Sequence, residues 1–168
     1  MEPTEESIAY IKERYSEEIA TFENIENKCA RYLTLITIII VAFSSILGFQ
    51  NSDLFKPNNF LEYLALISAV GAIFSLVCSF GHLLLCLKIK KAVLVPRCDK
   101  TSNWLREKRK EKVVSKIFDW YANAVKKSAK YNDEKIKPLK LAYSELVIAV
   151  WLISFFAITK LILELIKC

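Results

Sequence analysis

Apolar residues fall into three long blocks with charged stretches between them. The first block, Tyr32 to Phe49, carries no charge after Arg31, and its core is Leu33-Thr34-Leu35-Ile36-Thr37-Ile38-Ile39-Ile40-Val41. Its eighteen residues suffice to cross a bilayer as a helix. The second block, Phe60 to Leu87, is uncharged from Tyr63 onward and long enough to tilt or protrude. The third runs from Leu141 to Leu163, with a helix continuing to Ile166, and has Glu145 near its start and Lys160 near its end. Neither charge is deep, so both can reach an interface by snorkelling.

Two other stretches have a helical period without the apolar content to span. Over residues 4 to 31, Ile8, Ile11, Tyr15, Ile19, Phe22, Ile25 and Cys29 recur at three- and four-residue steps. Thr4 is placed to cap this helix, and Glu5 and Glu6 suit the positive end of its dipole. No breaker separates it from the first block, so one long helix is expected through both. From Thr101 to Asn132 a second amphipathic helix is expected, capped by Thr101 or Ser102, with Trp104, Leu105, Ile117, Phe118, Trp120 and Tyr121 among its apolar positions. Gly48, Pro57, Pro96 and Pro138 lie at block edges or in connections, and Pro138 reads as the first turn of the third span.

The expected architecture is an all-α integral membrane protein with three transmembrane helices and a small cytoplasmic helical bundle. Its segments are an N-terminal amphipathic helix over 1–31, spans over 32–49, 60–87 and 141–166, a short outer loop over 50–59 and a basic segment over 88–140. A chain of 168 residues has room for one domain, and its 54% apolar content exceeds what a soluble core of that size encloses. Residues 88–140 hold 17 of the 24 Lys and Arg against six acids, whereas the 50–59 connection has Lys56 as its one base. By the positive-inside rule the basic segment and the N-terminus are cytoplasmic and the C-terminus outside. Tyr32, Tyr63 and Tyr143 stand near span ends, as an aromatic belt requires. An acidic N-terminus is unlike a cleavable signal, which is basic.

Residues 4–31 carry seven acids and four bases, so this helix should attract the basic one. The two are expected to pack through their apolar stripes, with a basic helix lying on anionic lipid, Trp104 and Trp120 at the headgroups, as the alternative.

The second span has a stripe of small and polar residues, Ser68, Gly71, Ala72, Ser75, Ser79 and His82, on one helical face. Ser68, Ser75, Ser79 and His82 are candidates to line a pore in an oligomer, since hydroxyls and an imidazole can replace part of an ion's hydration. Close packing of helices uses the same residue types and is the simpler reading. His82, the one histidine, can titrate near neutrality. Glu145 and Lys160 are the intramembrane charges; Glu145 is expected to have a local partner, such as a lysine, and Lys160 to pair with Glu164 at i+4. The run Arg106, Lys108, Arg109, Lys110 and Lys112 offers an anion-binding surface for a nucleotide, phosphoinositide or nucleic acid, although topology alone already demands positive charge there.

Five cysteines form no C-x-x-C pair and no zinc spacing. The odd count speaks against a disulfide framework; Cys78 and Cys86 read as small hydrophobes in a helix, and Cys29 and Cys98 flank spans where lipidation is conceivable. There is no Walker loop, G-x-G-x-x-G, H-E-x-x-H or G-x-S-x-G, so no enzyme activity, cofactor or metal is expected.

Two local runs resemble those of small bacterial transmembrane effectors of anti-phage defence, chiefly the Pycsar type, with the SLATT effectors behind. Asn27-Lys28-Cys29-Ala30 is similar to a D-x-K-A-like run before the first span. Asn132-Asp133-Glu134-Lys135 followed by Leu139, Leu141 and Ala142 looks like an N-x-x-K…L…A pattern before the last. The resemblance implies a protein of the bacterial inner membrane that senses a nucleotide signal, made by a soluble partner enzyme, and permeabilises that membrane as a homo-oligomer. Lys108, Arg109, Lys110 and Lys112 would then be first candidates for contact with a cyclic nucleotide or other phosphate-bearing ligand, and Ser75, Ser79 and His82 for the lining. Three spans per chain are too few for a wide pore, so a channel needs four or more copies. The alternatives are a non-catalytic membrane adaptor docking a soluble partner, or a small subunit of a larger membrane complex.

Overall fold

A computed structural model describes residues 3–49, 57–88, 93–96, 101, 103, 104, 106 and 109–167. It is built of three long helices, α1 (Glu5–Phe49), α2 (Phe60–Leu87) and α3 (Lys110–Lys167), with no strand among the described residues. Each contains an 18-residue window long and apolar enough to cross a membrane, with mean hydropathy 2.0, 2.2 and 2.5.

The helix starts follow from local chemistry. Thr4 Oγ1 accepts from the Ser7 amide at 3.3 Å, as an N-cap does, and nothing interrupts α1 from there to Phe49. At the head of α2 the Asn59 carbonyl accepts from Glu62 and Tyr63, while Glu62 Oε2 reaches back 2.7 Å to the Asn58 amide, a variant of the capping box. α2 spans Phe60–Leu87, the range its hydropathy predicts.

The third helix departs from expectation at both ends of its polar half. Thr101, Asn103, Trp104 and Arg106 are helical, but Arg109 is not, and α3 begins after it with the Arg109 carbonyl accepting from Val113 at 3.1 Å. The helix expected over 101–132 is therefore interrupted, and Arg109, not Thr101 or Ser102, heads the long one. Pro138 does not open a new helix either; it lies inside α3. It removes one ladder bond, but strong helix formers on both sides, Lys135, Lys137, Leu139, Leu141 and Ala142, carry the helix through.

The chain divides into a polar unit, Met1–Asn27 with Lys88–Ile136, and an apolar unit, Lys28–Leu87 with Lys137–Cys168. In the polar unit α1 and α3 run parallel, joined in order by Glu5 with Lys110, Tyr15 with Tyr121, Glu18 with Asn132 and Glu26 with Lys135. This is the packing that opposite charges and two apolar stripes predict. In the apolar unit α1 and α3 are again parallel, through Tyr32 with Tyr143 and Phe43 with Phe156. α2 runs antiparallel to them, with Cys29 of α1 joined to Cys86 near its end and Phe43 against Ala65, Ala69 and Ala72 nearer its start. Small residues let helices approach closely there. The Phe43 and Phe156 rings meet edge to face, 5.5 Å apart, a geometry worth about 0.5–1.5 kcal/mol beyond the area buried.

Buried positions on α3 alternate three- and four-residue steps. Ser128, Asn132 and Lys135 line the polar unit and Ala142, Leu146 and Ala149 the apolar one. That spacing is the seam of a coiled coil, first filled with polar side chains and then with apolar ones. The outer faces of the apolar unit carry exposed Ile38, Val41, Phe74, Val77, Trp151 and Leu165.

Candidate functional site

A group of polar side chains of the apolar unit, Ser79, His82 and Glu145, meets near one end of its three helices beside the Cys29–Cys86 pair. α2 supplies Ser79, His82 and Cys86, α3 supplies Ala142 and Glu145, and α1 supplies Cys29. Ser79, fully buried, donates its hydroxyl proton to the Ala142 carbonyl at 2.7 Å, tying α2 to α3. One turn further along α2, His82 Nε2 lies 3.3 Å from Glu145 Oε1. The side chains are about 31% and 25% exposed, and Glu145 Oε2 is buried with no hydrogen-bond partner among the described residues. One turn beyond His82, Cys86 is joined to Cys29 as a disulfide, both side chains buried.

Several expected candidates thus meet in one place. Glu145 does pair locally, but with His82 of the facing helix and not with a lysine. The remaining stripe of α2 also faces inward: Ser68 is buried and bonded to the Ala65 carbonyl at 2.9 Å, and Ser75 is half-buried. An added Cβ at Gly71 would stand 3.2 Å from Leu152 Cδ1, so that glycine marks a close approach of α2 and α3. Within one chain the stripe is thus occupied in helix contact. Lys160 and Glu164 both line a groove of about 290 Å³ with Phe43, Ile46, Phe156 and Leu161. Their expected pairing is not among the ion pairs of the described residues.

In the polar unit the basic run is solvent-facing. Arg106, Arg109, Lys110 and Lys112 are exposed, and Lys110 is engaged by Glu5 at 3.2 Å; Lys108 lies outside the described residues. The nearby cleft, about 500 Å³, is lined instead by Thr101, Trp104, Lys116 and Trp120, with the two indoles 6.0 Å apart. Trp120 also borders a smaller cleft, about 200 Å³, with Val93, Leu94, Pro96 and Lys127. The indoles are tilted by 55°, so it is the face of one indole, beside the Lys116 ammonium, that can hold an aromatic group bearing a negative charge. Arg14, on the exposed face of α1, has its pKa raised, first by the hydrogen bond to Tyr10 and then by the Glu17 carboxylate, and has no partner on α3 among the described contacts.

The seam between α1 and α3 holds the polar unit's most buried chemistry. Lys135 donates to Glu26 Oε1 at 2.6 Å and stands 3.8 Å over the Phe22 ring; Asn132 donates to both the carbonyl and the carboxylate of Glu18. Ser128 Oγ and Asn132 Oδ1 are buried with no hydrogen-bond partner among the described residues. Asn132 and Lys135 are the first and last residues of the N-x-x-K run, and they serve here as seam residues. Sequence reasoning did not foresee the Cys29–Cys86 bond, and the full burial of Cys29 leaves it badly placed for lipidation; Cys98 lies outside the described residues. Among the described residues no group of His, Cys, Asp and Glu is placed to hold a metal ion.

Compared with known proteins, the chain matches no family model, no curated protein and no solved structure. The fold and site define a three-helix apolar unit with a polar cross-layer at one end and a coiled-coil-like polar unit on two of the same helices.

Proposed function

We propose that this chain is a non-catalytic effector of a bacterial inner membrane, in which the polar unit takes up a phosphate-bearing, nucleotide-type signal and the apolar unit, assembled in several copies, permeabilises the bilayer. The observation that carries the reading is that α1 and α3 each run unbroken from the polar seam into the apolar one. A ligand that changed the fit of the two helices in the first seam would alter the same two helices in the second. The exposed apolar faces suit lipid, and the excess of basic residues over 88–140 supports a cytoplasmic side for the polar unit. The indole pair with Lys116 supplies stacking and charge for a nucleotide-type ligand.

One observation favours the second reading, a membrane adaptor that does not conduct: Ser68 and Ser79 are already spent in contacts inside one chain. The experiment that separates the two is dye release from vesicles holding the purified protein, with assembly mass measured in parallel, against cyclic mono- and dinucleotides. Ligand-dependent leakage from an assembly of four or more copies, lost in Trp120→Ala and Lys116→Ala, is the expected result. A monomer or dimer that leaks with none of them overturns it in favour of the adaptor.

A further inference from the structure

We infer that Cys29 and Cys86 form a reversible redox latch that ties α1 to α2 when oxidised and releases that end of the helix pair when reduced. The two stand 57 residues apart in sequence, on antiparallel helices, with their Cα atoms 6.9 Å apart and both side chains buried. Disulfide formation needs side chains that face one another across the helix contact, which this placement supplies.

The position gives the bond its consequence. At the far end of the same helix pair, Phe43 packs against Ala65, Ala69 and Ala72, an apolar contact indifferent to redox state. Cys29 lies 14 residues before Phe43 on α1, about 20 Å along the helix. At the near end the disulfide is the covalent link between α1 and α2, so its state decides whether they can part there. Cys86 is one turn from His82, whose partner Glu145 belongs to α3, so the latch borders one of the contacts to the third helix.

The compartment makes the bond reversible. On the topology proposed above this end of the helices faces the cytoplasm, where the glutathione pool keeps thiols reduced. The resting form is then the dithiol. Closing the latch takes one proton from each thiol and passes two electrons to a small disulfide oxidant, which leaves as two thiols. Burial restricts the reaction to small reagents, and the orientation, with the resting dithiol that follows from it, rests on the proposed function.

The test is a titration of the whole chain in nanodiscs against glutathione buffers from strongly reducing to strongly oxidising, acid-quenched, alkylated and read by peptide mass spectrometry. The unpaired Cys78 supplies the internal reference. Cys29 and Cys86 are expected to lose alkylation together as the buffer becomes oxidising and to regain it together on return, with Cys78 alkylated throughout. In Cys29→Ser the Cys86 peptide should lose that paired transition. A bond that survives the most reducing buffer is structural and overturns the latch, and thiols that never pair in the most oxidising buffer overturn it equally. A separate arm treats intact cells with a membrane-permeant azodicarboxamide oxidant. Free thiols before and a bond after treatment support the cytoplasmic placement. A bond already complete before treatment overturns that placement and the resting dithiol with it, while the nanodisc titration still decides whether the pair is reversible.

Discussion

Lys135 Nζ sits 2.6 Å from Glu26 Oε1 although the lysine side chain is 4% exposed and its partner 42%. The ammonium is thus taken almost wholly out of water, while water still screens the carboxylate. Removing one member of a fully buried pair costs about 3–5 kcal/mol, because the other is stranded; partial exposure of Glu26 lowers that. Glu26→Ala is therefore expected to destabilise the polar unit by about 1–3 kcal/mol. Lys135→Met keeps the stem against Phe22 and removes the buried charge, and should cost less than Glu26→Ala or nothing. Amide hydrogen exchange along α1 and α3 measures both, and a larger loss in Lys135→Met would contradict the burial argument.

The buried serines of α2 separate packing from pore lining. Ser79→Ala loses the bond to Ala142 and should cost about 0.5–1.5 kcal/mol, whereas Ser79→Leu must force α2 from α3 and cost about 1–3 kcal/mol. Gly71→Ala meets only the flexible end of Leu152 and should be milder than Ser79→Leu. Thermal unfolding in detergent ranks the three. A Ser79→Leu protein as stable as the parent would show that this face is not occupied within the chain.

What was legible in the sequence, and what was not, follows the range of the interactions. The bounds of α2 and the continuity of α1 came from local signals, uncharged runs and absent breakers. Pro138 misled because proline's preference for first turns is only a preference, and strong helix formers on both sides outweigh one lost bond. Ser128, Asn132 and Lys135 gave no core signal, since a seam filled with polar groups has the spacing of a core without its hydropathy. His82 and Glu145 were each singled out, but their meeting depends on how α2 and α3 register, which neither helix encodes alone. The cysteine pair was the nearest miss: Cys29 and Cys86 are at comparable distances from the turn between the first two spans, and a helical hairpin brings such residues to one level.

The His82–Glu145 contact predicts an asymmetric response to substitution. His82→Ala leaves the carboxylate, one oxygen of which is already buried without a partner among the described residues, with no donor among them. Glu145→Gln keeps an acceptor for the imidazole and removes the charge. His82→Ala should therefore destabilise the apolar unit more than Glu145→Gln, by about 1 kcal/mol, the scale of leaving a buried polar group unsatisfied. Chemical unfolding of the two proteins under identical detergent conditions gives the order, and the reverse order would mean that the pair adds nothing to packing.

Tyr15 joins two interactions that one atom can separate. Its ring meets Tyr121 edge to face at 5.4 Å, and its hydroxyl donates to the Val93 carbonyl at 2.8 Å. Tyr15→Phe keeps the first and deletes the second. Residues 93–96 belong to no helix, so this bond is their described tether to α1. The substitution should cost the unit about 0.5–1.5 kcal/mol and concentrate its effect on that segment. Limited proteolysis after Leu94 should speed up in Tyr15→Phe while cleavage within α1 and α3 is unchanged, whereas Tyr15→Ala, which also removes the ring, should loosen α1 as well. Equal acceleration at all sites in Tyr15→Phe would mean that the hydroxyl holds the helix pair and not the segment.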